Sequence, residues 1–256
     1  MEDKNPIQVA GRLFGMIELL ADRGAMSLAE LAAGLSLNKS TAHRVASSLQ
    51  YMGYLRQDPE TLRYELTFRI VGLAEQVRSN TDILGKIRPH LTHLAERSGE
   101  TVHLVRREGC DMVYIDKVES SANSVRMISR IGSTIPIYRS GVGKAVAAHL
   151  SPAEVQEIWN NSKIERITPH TITEYGEFLR ILEEVRARGY AFDNEENETG
   201  VRCVAAALSL GETVPEYAFS ISVPISRLNE QRLAELASLV LETKAEIEQQ
   251  FLGGRR

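Results

Sequence analysis

The stretch SLAELAAGLSLNKSTAHRVASSLQYMGYLRQ, residues 27–57, admits few folds, because it holds two sets of helix boundary signals a few residues apart. Ser27 followed by Leu28, Ala29 and Glu30 matches the S-x-x-E capping box, in which the Ser oxygen and the Glu carboxylate satisfy free amides at a helix start. Gly34 is placed to end that short helix. After the turn LSL, Asn38 is suited to cap a second helix in which Ala42, Val45, Ala46, Leu49 and Met52 share one face before Gly53 stops it. The other face presents Ser40, His43, Arg44 and Ser47, with Lys39 in the first turn. Upstream, Val9, Leu13, Met16, Ile17 and Leu20 recur at helical spacing, and ADRG closes that segment. Downstream, YLRQDPETLRYELT reads as two short strands around an Asp-Pro-Glu-Thr turn, with Arg56 and Arg63 near the tip. Helices joined by a short turn and followed by a hairpin make a winged helix-turn-helix.

Charge gives this arrangement a purpose. The chain is acidic overall, with a formal net charge of −4 and a pI near 5.9. Yet after Glu30 no carboxylate occurs until Asp58. A recognition helix buries one face in its own domain while the other enters the major groove, where a carboxylate would repel phosphates. Ser40 and Thr41 are therefore assigned to phosphate, and Lys39, His43 and Arg44 to base edges, with Ser47 on the same face. Arg56 and Arg63 on the wing would reach the DNA backbone or minor groove. The alternative from pattern alone is a small helical interaction module with a basic face, which would show no salt-dependent affinity for DNA.

The full 256 residues have room for two modest domains. Residues 1–67 form the winged unit, 68–81 a linker helix whose Phe68, Val71 and Leu73 suggest packing, and 82–256 a second domain. In that domain TDILGKIRPHLTHLAERSGE reads as a helix with Ile83, Leu84, Ile87, Leu91 and Leu94 inward, bent or restarted at Pro89. Strands are expected at TVHLVRR, DMVYIDKV, around VRMIS, at CVAAALSL and at EYAFSISVP. Helices are expected at Ser140 to Leu150, Pro152 to Trp159, Glu174 to Arg188 and Glu230 to Phe251. Strands and helices without strict alternation point to an α+β domain.

The first apolar run, LFGMIELLA, is too short to span a bilayer and no leader pattern precedes it, so the start is read as mature structure, with no membrane partner. Cys110 and Cys203 form no CxxC pair, which fits a reducing cytoplasm. His90 and His93 lack a third ligand at usual spacing and are read as surface residues, so no metal is assigned. GVGKA fails the full P-loop pattern at Tyr138 and Ala145, and neither Cys is paired locally with an activating His, so no catalytic residue and no cofactor is assigned.

The strand YAFSISVP puts Ala218, Ser220 and Ser222 on one face and Phe219, Ile221 and Val223 on the other. At SGVGKAVAAHL a Gly-rich turn opens a helix, leaving the amides of Gly141, Val142 and Gly143 open to a carboxylate or phosphate. These features suit a small anionic metabolite. They are equally compatible with a half-exposed strand face at the serines and close helix packing at the glycines, and DNEENE, with Glu195, Glu196 and Glu198, with a solvated acidic loop.

The stretch LAELAAGLSLNKSTAHRVASSLQYMGYL resembles the N-terminal signature of the IclR family of bacterial transcriptional regulators. SGETVHLVRREGCDMVYIDKV, SRIGSTIPIYRSGVGKAVAAHL, ERITPHTIT, VRARGYAFDNEENETGVRCVAA and FSISVP resemble that family's effector-domain segments in the same order. The resemblance implies a GAF- or PAS-like effector domain, a central antiparallel sheet flanked by helices, that binds a small organic acid. Its pocket maps onto Gly141, Val142, Asp193, Cys203, Ser220 and Ser222, with Met127 and Ile135 as apolar walls; Val142 stands where many relatives have Ala, and Cys203 is also compatible with a buried apolar position. The implied protein is a dimer or dimer of dimers on a pseudo-palindromic operator, a repressor or an activator of a catabolic operon. SRIGSTIPIY with DNEENETGVRC is similar to the subgroup that represses pectin and hexuronate breakdown and senses keto-deoxygluconate. A metabolite-modifying domain tethered to DNA is the alternative from another class.

Overall fold

The computed structural model describes residues 7–79, 82–119 and 129–253. The chain divides into two compact units at Thr81/Asp82. In the first, α1 (Gln8–Arg23), α2 (Leu28–Gly34) and α3 (Lys39–Tyr51) precede a hairpin of β1 (Leu55–Gln57) and β2 (Tyr64–Leu66), and α4 (Arg69–Ser79) follows. Met16, Leu20, Leu31, Ala42, Ala46, Leu49, Leu55 and Tyr64 form its core. Backbone bonds between Met26 and Tyr64 tie the α1–α2 turn to the wing.

Four apolar expectations in this unit fail for one reason. Phe68 is 88% exposed, Val71 and Leu73 are exposed as well, and Met52 caps α3 at 37% exposure. Helices α1 to α3 and the wing already close the core, so α4 and the end of α3 find no apolar surface there. What holds the segment before α4 is polar: Thr67 donates to the Gly53 carbonyl at 2.6 Å, and the Arg69 guanidinium lies 5.1 Å from the Tyr54 ring centre.

The second unit is α+β. Among its described residues, β3 (Thr101–Glu108), β4 (Asp111–Val118), β5 (Thr134–Pro136), β6 (Ala191–Asn194), β7 (Val201–Leu208) and β8 (Tyr217–Pro224) form one antiparallel sheet in the order β5-β4-β3-β8-β7-β6. The strand period of two sends alternate residues to opposite faces. Val102, Leu104, Val204, Ala206, Phe219, Ile221 and Val223 meet α5 (Ile83–Ser98) and α9 (Glu230–Leu252). Val105, Ala205, Ala207 and Ala218 face α6 (Gly141–Ala147), α7 (Pro152–Asn161) and α8 (Tyr175–Arg188).

β4 and α8 fall where sequence periodicity expects them, while β5 and β6 were not anticipated. The strand around VRMIS lies outside the described residues except for Ser129. Helix α5 runs unbroken through Pro89, and Leu84 is 40% exposed rather than inward. His93 is exposed, whereas His90 bridges to α9, its Nε2 2.9 Å from Gln250 Oε1.

Candidate functional site

Each unit carries a polar constellation. In the first, Ser27 Oγ accepts the Glu30 amide and Glu30 accepts the Ser27 amide, so the capping box sets the start of α2. Asn38 Oδ1 accepts the Thr41 amide at 2.8 Å and the Ser40 hydroxyl at 2.9 Å, which sets the start of α3. With Ala42, Val45, Ala46 and Leu49 buried, helical period forces Lys39, Ser40, His43, Arg44 and Ser47 to the exposed side, Thr41 standing half-buried. Among the described residues Lys39 and Arg44 have no carboxylate partner, so their charge faces outward.

The wing arginines are placed differently. Arg63 donates from Nε to the Ala25 carbonyl at 3.0 Å and pairs with Glu30 at 2.9 Å, fastening the wing to the start of α2. Arg56 pairs with Glu65, directly across the hairpin, at 2.5 Å. Asp58 orders the turn by accepting the Glu60 and Thr61 amides. Arg63 is thus a structural tie, and Arg56 is 71% exposed and half-neutralised.

The second constellation lines a cavity of about 550 Å³ at the α6 side of the large sheet. Of the residues carried over from the sequence, Ile135, Asp193, Cys203 and Ser222 line it. Ser220 lies deeper, paired across the sheet with His103 and Ala205. Met127 lies outside the described residues. Gly141 and Val142 are buried and are not among the residues lining the cavity, and Asp193 packs beside Gly141. The Gly143 amide donates to Ser140 Oγ at 3.1 Å, so one of the three amides expected to receive a ligand anion already holds an oxygen of the protein. Gly143 is a packing residue: a Cβ there would stand 2.4 Å from Ile137 Cα and O.

The acidic loop was also misread as solvated. Glu195 and Glu196 are buried. Glu196 forms an ion pair with Lys144, fully buried on α6, which also donates to the Phe192 carbonyl at 2.7 Å. Glu195 accepts the Gly200 amide at 2.8 Å and faces Arg202. Asp193 sits between these groups and accepts the Glu196 amide at 2.8 Å. Burial pushes its carboxyl up to about 7, Glu196 adding to the rise and Lys144 opposing it.

Sequence reasoning missed His103, Tyr114 and Arg139 in the cavity wall, together with the polar groups of Ser129, Arg130, Ser133, Thr134, Asn197 and Glu198. His103 carried a usable signal: it alternates with Val102 and Leu104, so it shares a face with Thr101 and, through strand pairing, with Ser220 and Ser222. The fold builds a relay from Cys203 Sγ, 3.3 Å from Ser222 Oγ, to His103 Nδ1 at 3.2 Å and on from His103 Nε2 to Ser129 Oγ at 2.6 Å. A cysteine is thus linked to a histidine after all. The pair is poorly suited to nucleophilic chemistry: burial raises the thiol well above its ordinary range and drives the imidazole down to about 3, Lys117 adding to the fall. A neutral imidazole, hydroxyls and a protonated thiol make a hydrogen-bonding surface for a polar small molecule.

A winged helix-turn-helix joined in one chain to an α+β unit with a polar cavity defines a ligand-responsive DNA-binding regulator. Residues 9–59 match the IclR helix-turn-helix domain and residues 75–249 the bacterial transcriptional regulator IclR C-terminal domain. The chain belongs to the IclR family and is a DNA-binding transcriptional regulator. It is 32% identical over 240 residues to the HTH-type transcriptional regulator KdgR of Escherichia coli K12, covering 93% of this chain and 91% of that one. It is 31% identical over 253 residues to the transcriptional repressor IclR of the same organism, covering 98% and 92%. Among solved structures, Thermotoga maritima IclR superposes with a TM-score of 0.64 at 29% identity over 95% of this chain and 98% of that one. The C-terminal domain of E. coli KdgR gives 0.60 at 31% identity over 67% and 99%. Among the described residues no helix is long and apolar enough to cross a membrane.

Proposed function

We propose that the protein is a cytoplasmic repressor of a catabolic operon, released from its operator by a small organic acid of the keto-deoxygluconate type. The observation that carries this reading is the polar cavity on the large sheet, where two arginines and a set of hydroxyls face a volume suited to a six-carbon acid. The similarity to the transcriptional repressor IclR supports the sign of control. The acid acts as a signal and leaves unchanged.

On DNA, Lys39, His43 and Arg44 meet base edges, and Ser40 and Thr41 meet phosphates, with Ser47 on the same face. Arg56 reaches the backbone with what charge Glu65 leaves it, and Arg63 serves the wing. The protein binds as a homodimer or dimer of dimers, whose two-fold symmetry calls for pseudo-palindromic half-sites about one helical turn apart or a multiple of it. Effector shifts the equilibrium between DNA-competent and DNA-incompetent arrangements only by binding one of them more tightly.

The test is calorimetric titration of the full chain with keto-deoxygluconate, pyruvate, glyoxylate and aromatic acids, with Ser222→Ala as control and the ligand analysed afterwards. Saturable binding of one hydroxylated acid, weakened in Ser222→Ala and with the ligand recovered intact, supports the reading. Turnover of the acid would replace it with an enzyme reading, and tightening of DNA binding by the acid would make the protein an effector-dependent activator or co-repressed regulator.

A further inference from the structure

His103 is fixed in the cavity wall on β3, with Ser220 opposite on β8 and Lys117 opposite on β4. It is 2% exposed, and its ring meets the Tyr114 ring edge-on, the centres 5.2 Å apart. Both ring nitrogens are engaged, and both partners are hydroxyls that line the cavity: Nδ1 with Ser222 Oγ at 3.2 Å and Nε2 with Ser129 Oγ at 2.6 Å. A hydroxyl can give or take a hydrogen bond, but a neutral imidazole has one N–H and one bare nitrogen. The two serines therefore cannot behave alike toward it. If Ser222 donates to Nδ1, Ser129 accepts from Nε2; if Ser129 donates, Ser222 accepts.

Cys203 sets the resting direction. Its Sγ lies 3.3 Å from Ser222 Oγ, and a thiol is a weak acceptor, so Ser222 donates to Nδ1, the better acceptor, and receives the S–H. The ring proton then sits on Nε2 and is donated to Ser129, whose own O–H is left for other partners. A ligand acceptor placed on Ser222 reverses the chain. The Ser222 O–H turns to the ligand, Nδ1 loses its donor, and the ring keeps both bonds by carrying its proton on Nδ1 while Ser129 donates to Nε2. The exchange is proton-neutral: one proton leaves Nε2 for solvent, solvent returns one to Nδ1, and each hydroxyl carries one throughout. Without it a buried nitrogen is left bare against an oxygen lone pair, which a desolvated site tolerates poorly. A doubly protonated ring is disfavoured by burial and by Lys117, with Glu119 opposing them.

We propose that His103 is a positioning residue that answers effector binding by changing tautomer, so that capture of the Ser222 hydroxyl on β8 turns the Ser129 hydroxyl in the β4–β5 connection. This rests on reading the cavity as the effector site, and the experiment separates the two. The full chain, its histidine rings labelled with nitrogen-15, is titrated with keto-deoxygluconate, pyruvate, glyoxylate and benzoate, and the His103 signals are assigned by their loss in His103→Gln. The ring shifts report which nitrogen carries the proton. It is expected on Nε2 in the free protein and on Nδ1 when the acid that binds is saturating. Ser222→Ala binds that acid about 10-fold more weakly and keeps the proton on Nε2 with and without it. Saturating acid that leaves the proton on Nε2 in the wild type, with Ser222→Ala still weakening binding, would overturn the assignment and leave the sensor standing. A proton already on Nδ1 before acid is added, or a swap that persists in Ser222→Ala, would overturn it as well. Protons on both nitrogens would mark an ion pair with the acid in its place. If no acid of the panel binds the wild type at millimolar concentration, the sensor reading fails and the assignment with it.

Discussion

In residues 7–79 the polar side chains assigned to DNA stand in solvent along one helix, whereas in residues 82–253 those of the proposed sensing cavity are turned inward and satisfied largely by one another. Lys39, His43 and Arg44 are exposed, and two carboxylates of the unit are engaged elsewhere, Glu30 by Arg63 and Glu65 by Arg56. Asp193, Glu196, Lys144, His103 and Ser222 lie almost fully buried. A surface built to meet a polyanion keeps its cations hydrated until the partner arrives, so its residues contribute little to folding. A cavity built to read a small molecule must hold its polar groups in place beforehand, so its residues carry fold and function together.

That difference can be broken by mutation, beginning where the sensing unit is most tightly packed. Gly143→Val would drive side-chain atoms into Ile137 backbone that stands 2.4 Å from the first of them, with a cost of about 3 kcal/mol or more and loss of the folded second unit. Chemical denaturation followed by Trp159 fluorescence would show it, while the first unit keeps its helical signal.

Next in size is the buried pair. Lys144→Met strands Glu196 and Asp193 without their cation and should cost about 3–5 kcal/mol, much of it recovered when Glu196→Met is added. A double-mutant cycle by urea unfolding measures this, and simple additivity would show that the pair is not coupled.

On the exposed side, effects on stability should be small and effects on DNA clear. Arg44→Ala is expected to weaken binding to a selected operator by about 1–3 kcal/mol with unfolding unchanged. Lys39→Ala, which removes a base contact, is expected to weaken binding to the selected operator by about 1–3 kcal/mol and to relax preference at one base pair. Arg63→Ala should behave in the opposite way, loosening the wing with little change in slope, because Arg63 is already committed to Glu30 and the Ala25 carbonyl.

The smallest effect is in pH. A raised Asp193 carboxyl takes up its proton on folding, so its contribution is present below its ordinary value of 3.8 and lost as pH rises through about 7. His103, lowered to about 3, contributes above its ordinary 6.5 and loses stability as pH falls. The two slopes oppose one another in the mildly acidic range. Asp193→Asn removes the first, so its stability relative to wild type should climb between pH 5 and pH 8; parallel curves in thermal unfolding would remove Asp193 from this role.

The same contrast explains what was legible in the sequence. The recognition face could be read because one helix repeats its pattern within a dozen residues, with Ser27, Gly34, Asn38 and Gly53 marking the ends. The sensing cavity draws on all six strands β3 to β8 and on the turn before α6, so no local window contains it. The serine face of β8 was visible as alternation, but its partner His103 lies 119 residues away. DNEENE was read as compatible with a solvated acidic loop, yet β6 carries Asp193 inward beside Gly141 at the start of α6. The Gly-rich turn was read as open to an anion; that the Gly143 amide is held by Ser140 and that Asp193, far along the chain, packs beside Gly141 could not be placed from spacing alone. The apolar side chains of α4 looked like core because periodicity reports a stripe and not what covers it.

The central claim is that the cavity of the second unit controls DNA binding by the first. Linkage makes this testable in one experiment: the affinity of the effector acid for the free protein is measured beside its affinity for the protein saturated with an operator duplex selected from a random pool. The account predicts weaker acid binding on DNA, by about 5- to 150-fold, with the same ratio seen when operator affinity is measured with and without acid. Equal affinities in the two states, with the acid seated in the cavity, would contradict it.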